Sequence, residues 1–362
     1  MTYAESGVDT AAGDRAVELM KDAVAKTHGP EVMGGVGAFA GLFDASALKD
    51  YRRPLLASST DGVGTKIVIA QTMGVHDTIG QDLVAMVVDD IVVCGAKPLV
   101  MTDYIACGRV DPQQIADIVR GIADGCQLAD TALVGGETAE HPGVMSNGDY
   151  DVAGAAIGVV EADAVLGPDK VREGDVVIAM ASSGLHSNGY SLVRSVVRRA
   201  GWMLEQDFAD LGRTLGEELL EPTRIYARLC VELAANSPGL HALSHVTGGG
   251  LAANVARVIP RGLAAQVARD TWEVPPIFRM LQAEGEVPWS DIEATLNLGV
   301  GMVAVASPDH ADDVARACAA AGVKTWVLGE IVQDDERSLS NDVVRGAKGV
   351  DGGAVYLSGQ YR

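Results

Sequence analysis

The residues best equipped for chemistry lie in Ser59 to Lys66, STDGVGTK, directly after the apolar run Pro54 to Ala57. Asp61 offers a hard oxygen, Thr65 a hydroxyl and Lys66 a cation, while Gly62 and Gly64 let backbone N–H groups face a ligand. Phosphate and magnesium need that mixture. The spacing is not GxxxxGK[ST], because one residue separates the two glycines, and a tight turn after a strand is the competing account. Downstream, DLVAMVVDDIVV carries Asp82, Asp89 and Asp90 on an otherwise apolar stretch. Carboxylates on so oily a helix are costly unless a cation or hydrogen-bond donors meet them. On a helix Asp82 and Asp89 share a face, and Asp90 lies about a quarter-turn round. Two carboxylates ~5 Å apart repel by roughly 3 kcal/mol at an effective dielectric near 20, a cost that magnesium reverses. A polar stripe facing water is the alternative, and convergence of Asp61 with Asp89 or Asp90 decides for the metal.

Four further segments carry weaker signals. Glu31 to Phe43, EVMGGVGAFAGLF, is too glycine-rich for a good helix and too apolar for a solvated linker, and reads as a mobile flap. Gly35, Gly37 and Ala40 miss the third glycine of a dinucleotide fingerprint and follow a helix rather than a strand. A lid over phosphate, built on Gly34, Gly35 and Gly37 with Lys26 at its hinge, fits better; Lys26 is equally a solvent-exposed lysine at a helix end. GGETAEHPG, Gly135 to Gly143, either sets Glu137 at the rim of a sheet or is a plain loop. In SSGLHSNGYSLVR, Ser187 or Asn188 can cap the next helix while His186 sits in the loop. HVTGGGLAANV runs from a strand-like stretch through Thr247, Gly248, Gly249 and Gly250 into a helix whose free N–H groups could hold a phosphate, with a flexible connection as the alternative. His141 and His245 lack metal-ligand spacing, and no serine-histidine-acid or reactive-cysteine constellation is legible.

Positioning these groups takes more than one core. At 362 residues and 48% hydrophobic content, two domains are expected. Arg15 to Lys26 has the spacing of a one-faced helix. Strand and helix then alternate: strand near Leu55 to Ser58, helix Thr78 to Cys94, strand Leu99 to Ala106, helix Pro112 to Leu128, and strands Ala132 to Val134 and Asp151 to Val160. Gly167, Pro168, Gly174 and Asp175 mark a boundary near residues 161 to 174. Beyond it, helices near Tyr190 to Ala200, Glu217 to Ala235, Leu251 to Val258, Ile277 to Glu284 and Ala311 to Ala321 mix with strands near Val176 to Ala181, Ala264 to Val267, Gly301 to Val305 and Lys324 to Leu328, an α+β pattern. The partition is 1–166, 167–333 and a poorly ordered tail, 334–362, rich in glycine and charge.

A formal net charge of -21 disfavours nucleic acid and anionic membranes but not ATP carried with a divalent metal. Five scattered cysteines without a CxxC pair suggest neither zinc nor disulfides and fit a reducing cytoplasm. The first residues lack a basic start followed by an apolar core, and no run approaches a membrane span.

In this order, KTHGPEVMGGVGAFAGLF, STDGVGTK, DTIGQDLVAMVVDDIVVCGAKP, GGETAEHPG, DYDVAGAAIGVV, SSGLHSNGYSLVR, EPTRIY, HVTGGGLAANVARVIP and TLNLGVGM resemble the phosphoribosylformylglycinamidine cyclo-ligase family, the aminoimidazole ribonucleotide synthetases, over about Gly7 to Leu328. The resemblance implies a two-domain α+β homodimer whose N-terminal sheets join across the dimer and whose N-terminal half shapes the ATP site. It implies ATP-dependent ring closure of formylglycinamidine ribonucleotide, through phosphorylation of the amide oxygen, to aminoimidazole ribonucleotide, ADP and phosphate. It assigns Asp61 and Asp90 to magnesium, with Asp89 as a further ligand and Asp82 and Glu137 in support. Lys26 and Lys66 go to phosphates beside Gly62, Gly64 and Thr65, and His186, Asn188 and Thr247 to Gly250 to the substrate. Asp61, Lys66, Asp90 and His186 form the implied catalytic set. Three positions depart from the family pattern: Asp89 stands where asparagine is usual, His141 replaces methionine, and Ala155 with Ala156 thins a bulkier strand. Selenophosphate synthetase, thiamine-monophosphate kinase and a hydrogenase maturation protein share ATP-site elements, but HSNGYSLVR and HVTGGGLAANVARVIP favour the cyclo-ligase. A non-catalytic nucleotide-binding protein is the rival class, and the retained carboxylates weigh against it.

Overall fold

A computed structural model describes residues 7–35, 37–335, 342–346 and 352–362. The chain divides into two compact units: the first runs through Val92, Ala96–Asp163 and Ile225–Arg228, the second comprises Val93–Gly95, Ala164–Arg224 and the chain from Leu229.

The first unit begins with α1 (Thr10–Ala25), capped by Asp9, whose carboxylate accepts the Ala12 N–H. A two-strand hairpin follows, β1 (Val32–Met33) and β2 (Leu42–Phe43), and then β3 (Pro54–Gly62), α2 (Ile67–Met73), α3 (Asp77–Val92), β4 (Lys97–Cys107), α4 (Pro112–Ala129), β5 (Ala132–Glu140) and β6 (Tyr150–Glu161). The last four strands form one sheet in the order β3-β6-β4-β5, with only β4 and β5 parallel. The parallel pair requires a crossover, and α4 supplies it. α3 is buried on almost every side, including Asp82 and Asp89, because it packs against β3, β6 and α4. This explains why its sequence is apolar throughout rather than along one stripe. α3 and α4 cross where both backbones are bare: a Cβ on Gly80 would sit 2.1 Å from the Ile122 nitrogen, and one on Gly121 would sit 1.8 Å from the Asp77 oxygen.

The second unit contains β7 (Val176–Ala181), α5 (Tyr190–Ala200), the short pair β8 (Asp207–Phe208) and β9 (Arg213–Thr214), α6 (Leu215–Leu220), α7 (Ala227–Asn236), β10 (Leu240–His245) and α8 (Gly250–Val255). It continues with β11 (Leu263–Ala268), α9 (Pro276–Gly285), α10 (Trp289–Glu293), β12 (Val300–Ala306), α11 (Ala311–Ala320), β13 (Thr325–Gln333), β14 (Val343–Arg345) and β15 (Ala354–Ser358). Seven strands form a mixed sheet ordered β10-β12-β7-β13-β11-β15-β14. Every residue of β12 is buried, as its unbroken run VGMVAVA requires. Among the described residues no helix is long and apolar enough to cross a membrane.

Several expectations change. The single helix expected over Glu217 to Ala235 is two, α6 and α7, because Pro222 in EPTRIY has no N–H to continue the ladder. Ile225–Arg228 joins the first unit, where the Tyr226 N–H reaches both carboxylate oxygens of Asp89 at 3.1 Å. β5 runs on through GGETAE, so this stretch is strand rather than loop. Part of the expected loose tail is ordered: β15 pairs in parallel with β11, and β14 pairs antiparallel with β15. AVYLS has strand-forming residues, and β11 leaves an edge of backbone donors and acceptors for it to satisfy. Residues 336–341 and 347–351 of that tail lie outside the described residues, as does Val36 of the glycine-rich flap.

Gly121→Val drives side-chain carbon into the α3–α4 crossing and is expected to cost about 3 kcal/mol or more in urea unfolding. Gly148→Ala, at a glycine with open space around it, serves as the control and shifts stability by no more than about 0.5 kcal/mol.

Candidate functional site

In the first unit, Asp61 stands one residue before the end of β3, where the chain leaves the sheet through Gly64 (φ 73°) into the turn Gly64–Lys66 and α2. Its Oδ1 accepts the Gly62 N–H at 2.8 Å, which turns the carboxylate along the exit turn. Thr65 is exposed on this turn. Lys66 is fully buried, and its Nζ donates to Asp82 Oδ1 at 2.8 Å with both side chains excluded from solvent. One charge inside α3 is thereby matched by one from the turn.

The α3 carboxylates part company. Asp89 is fully buried and accepts the Tyr226 N–H, whereas Asp90 is exposed. Among the described residues no group of three or more His, Cys, Asp or Glu side chains is arranged to hold a metal ion. The expected trio of Asp61, Asp89 and Asp90 is not gathered into a protein-only cage, because burial and a backbone donor already engage Asp89. The expected phosphate role of Lys66 meets a similar competitor, since its ammonium is committed to Asp82.

Sheet register exposes a carboxylate that motif reading passes over. Asp61 on β3 lies opposite Gly154 on β6, Gly154 opposite Asp103 on β4, and Asp103 beside Gly136 on β5. Neighbours in such a row share a face. This is the helix-covered face, because a Cβ on Gly154 would meet Leu83 of α3. Asp61 and Asp103 therefore stand two strands apart, roughly 10 Å, across Gly154, over which the Met101 and Leu83 side chains close. Asp103 is half-buried, its Oδ1 lies 2.2 Å from where a Gly136 Cβ would be, and burial pushes its carboxyl up to about 7. The available sequence signal was its place in the two-residue alternation Met101, Asp103, Ile105, where an apolar residue is expected.

The other expected residues of this unit are spread along its sheet edge. Lys26 caps the end of α1 and is exposed. That end is tied to β5, for Thr27 Oγ1 accepts the Leu133 N–H at 3.1 Å and His28 Nε2 lies 2.8 Å from the Leu133 carbonyl. The hairpin carries Gly34, Gly35 and Gly37 into open space, while Gly41 packs its bare Cα against Val134. Glu137 is exposed on β5, its Oε1 taking the Thr138 N–H.

The second unit brings two of the glycine-bearing loops together. His186 is buried in a left-handed conformation (φ 61°), and its Nε2 accepts the Ser183 N–H at 3.2 Å. Asn188 Oδ1 lies 3.3 Å from where a Cβ on Gly248 would stand, so the HSNG and TGGG loops adjoin. Gly249 and Gly250 take φ of 106° and 71°, which L-side chains rarely adopt. Asn254 secures this loop by donating to the Thr247 and Gly250 carbonyls at 3.2 and 2.8 Å. Asn297, of the TLNLGVGM block, donates to the Gly184 carbonyl at 2.9 Å and accepts the Gly299 N–H at 2.8 Å. Ser187 Oγ and Thr223 Oγ1 meet at 2.9 Å. These supporting polar residues had no sequence signal beyond their motifs. The result is a rigid pair of loops with bare backbone.

A family profile described as AIR synthase related protein, N-terminal domain, matches residues 44–160, and its C-terminal counterpart matches residues 172–340. A Desulfitobacterium hafniense protein named phosphoribosylformylglycinamidine cyclo-ligase is 48% identical over 335 residues, 92% of this chain and 98% of that protein. A Paraburkholderia phymatum protein of the same name is 45% identical over 344 residues, 95% and 96% of the two chains. The fold is shared with thiamine-monophosphate kinase from Stenotrophomonas maltophilia, with TM-score 0.66, 19% identity and 95% and 97% of the two chains covered. It is also shared with hydrogenase maturation protein HypE in complex with ATP, with TM-score 0.63, 16% identity and 90% and 87% covered.

Burial raises the Asp103 carboxyl from the ordinary carboxylate value of 3.8 to about 7, so between those values the native state holds a proton that the unfolded chain has lost. Stability is therefore expected to fall as pH rises from about 4 to about 7 and to level off above. Asp103→Asn removes this component, so its melting temperature relative to the parent should climb across that interval. A constant difference from pH 4 to 8 contradicts the assignment.

Proposed function

This chain belongs to the phosphoribosylformylglycinamidine cyclo-ligase family, and from that membership we infer that it closes the imidazole ring of formylglycinamidine ribonucleotide at the expense of ATP, in purine biosynthesis. The observation that carries the inference is near-half identity to proteins of that name across both family domains. The γ-phosphoryl group passes to the amide oxygen of the substrate and ADP leaves. An amidine nitrogen then attacks the activated carbon, the carbon–oxygen bond breaks with departure of phosphate, and the nitrogen loses its proton. An amide oxygen is a poor leaving group until phosphorylated, so alignment and charge neutralisation outweigh acid–base work.

In this reading the first unit serves ATP. Asp61 and Asp90 supply the protein oxygens for magnesium, with Glu137 in support. Magnesium bound to a triphosphate keeps several waters and phosphate oxygens, so two carboxylates fit its needs without a third protein ligand. Asp89 holds Tyr226, and Lys66 holds the exit turn against α3. Lys26, exposed beside the hairpin, is a cation available to phosphate, and the exposed Gly34, Gly35, Gly37, Gly64 and Thr65 bring backbone to it. His186, Asn188 and Thr247 to Gly250 serve the substrate through the paired loops of the second unit. The five cysteines are free thiols, which suits a reducing cytoplasm.

A homodimer joined through the open face of the four-stranded sheet completes the proposal. Leu56, Tyr104 and Ile157 lie on that face at 65%, 42% and 41% exposure, an apolar surface of the kind that marks an interface.

Formylglycinamidine ribonucleotide should stimulate ADP release in a coupled assay; an enzyme that forms no substrate-dependent ADP is not a cyclo-ligase. Asp90→Ala is expected to lower that rate at least ~100-fold while its unfolding midpoint stays put, since the side chain is exposed. Retained activity removes the metal role. For the dimer, Ile157→Glu should halve the mass measured by light scattering, and a parent protein that is already monomeric refutes the pairing.

A further inference from the structure

Residues 342–346 and 352–362 lie beyond the family-profile match, which ends at residue 340, yet they are built into the second unit. β15 extends the sheet from β11, and the chain continues to Tyr361, whose ring meets Trp272 and Trp289 at centroid distances of 5.4 and 5.1 Å. Arg269, directly after β11, lies over the same ring at 5.9 Å. Its guanidinium grips Glu293 through two nitrogens, donates to the Gly359 carbonyl at 3.4 Å and pairs with Asp342 at 3.3 Å. Arg269 is 9% exposed, so this fork operates largely out of water, where a two-pronged guanidinium–carboxylate pair is strong and directional. Burial and the neighbouring Glu293 carboxylate push the Tyr361 phenol up.

Glu293 is also the residue on which the TGGG loop rests. A Cβ on Gly250 would lie 1.7 Å from the Glu293 carbonyl oxygen, so backbone touches backbone there. Just beyond, a Cβ on Gly189 would lie 2.3 Å from Leu296 and 3.0 Å from Thr295. The end of α10 and the three residues after it thus form the floor of both glycine loops. We propose that the segment 352–362, with Asp342, is a positioning clasp for the Thr247–Gly250 loop, acting through Arg269 and Glu293. Its functional meaning rests on the assignment of that loop to substrate; its mechanical meaning does not. None of the clasp residues is a catalytic residue: Tyr361 sets Arg269, Arg269 sets Glu293, and Glu293 sets the loop. Loss of the ring frees Arg269 on one side and lets α10 shift, and a shift of about 1 Å at a binding loop is enough to weaken productive binding.

The test uses full-length Tyr361→Ala, Tyr361→Phe and the milder Arg269→Lys, which keeps charge but loses the fork. Amide hydrogen exchange is followed over 246–254 and, as an internal reference, over β12. For Tyr361→Ala, exchange in 246–254 is expected to quicken at least ~10-fold with β12 unchanged. KM for formylglycinamidine ribonucleotide should rise several-fold while KM for ATP stays within about twofold. Arg269→Lys should move the same readouts less, and Tyr361→Phe, which keeps the ring and loses the hydroxyl beside Glu293, should move them less than Tyr361→Ala. Unchanged exchange in 246–254 overturns the clasp, and so does equal loss of protection in β12, which reveals a general stabiliser. Faster loop exchange with an unchanged substrate KM upholds the clasp and refutes the substrate role of the loop.

Discussion

The ion pair between Lys66 and Asp82 governs the first unit. Both side chains are wholly removed from water, and each ion forgoes several kcal/mol of hydration that the pairing helps to return. The turn after β3 therefore cannot drift from α3 without stranding a bare charge in the core. Asp61, five residues ahead of the lysine, inherits that rigidity, and so does any group it holds. A buried pair is an expensive way to gain stability, and hydrophobic residues of equal volume would serve at least as well. Its value here is register, with one turn held against one helix in one arrangement.

Glycine does the complementary work. At the α3–α4 crossing it lets two helices meet backbone to backbone; between Asp61 and Asp103 it lets the Met101 and Leu83 side chains seat on the sheet; at Gly250 it lets a loop sit directly on a carbonyl. In each place a methyl group would fill the space that the geometry requires. The contacts are narrow rather than extensive, so the second unit gains from a further restraint behind its loops. The chain beyond the family match supplies it through a buried guanidinium and an aromatic cluster.

The combination also separates two jobs that acidic residues perform on a single helix. Asp82 and Asp89 are internal struts, one neutralised by a lysine and the other satisfied by a backbone N–H, while Asp90 looks outward. Neighbouring positions in a helix differ by about 100°, and that rotation carries one aspartate into the core and the next into solvent.

Local chemistry made much of this readable in one dimension. The α3 stretch, the STDGVGTK exit, the glycine loops and most sheet strands follow from hydrophobic period and from residues that only turns tolerate, all of which act over a few positions. The break between α6 and α7 was equally present in Pro222, although the apolar spacing around it reads as one helix. What the linear order left undecided is every relation between distant positions: that Lys66 meets Asp82 rather than solvent, that Asp89 serves Tyr226, that Asp61 and Asp103 occupy one row, and that a glycine-rich tail finds an edge beside β11. Pairing across a sheet and burial of a charge depend on which segments arrive together. Their free energies are set by a partner and a dielectric that exist only once the chain is folded.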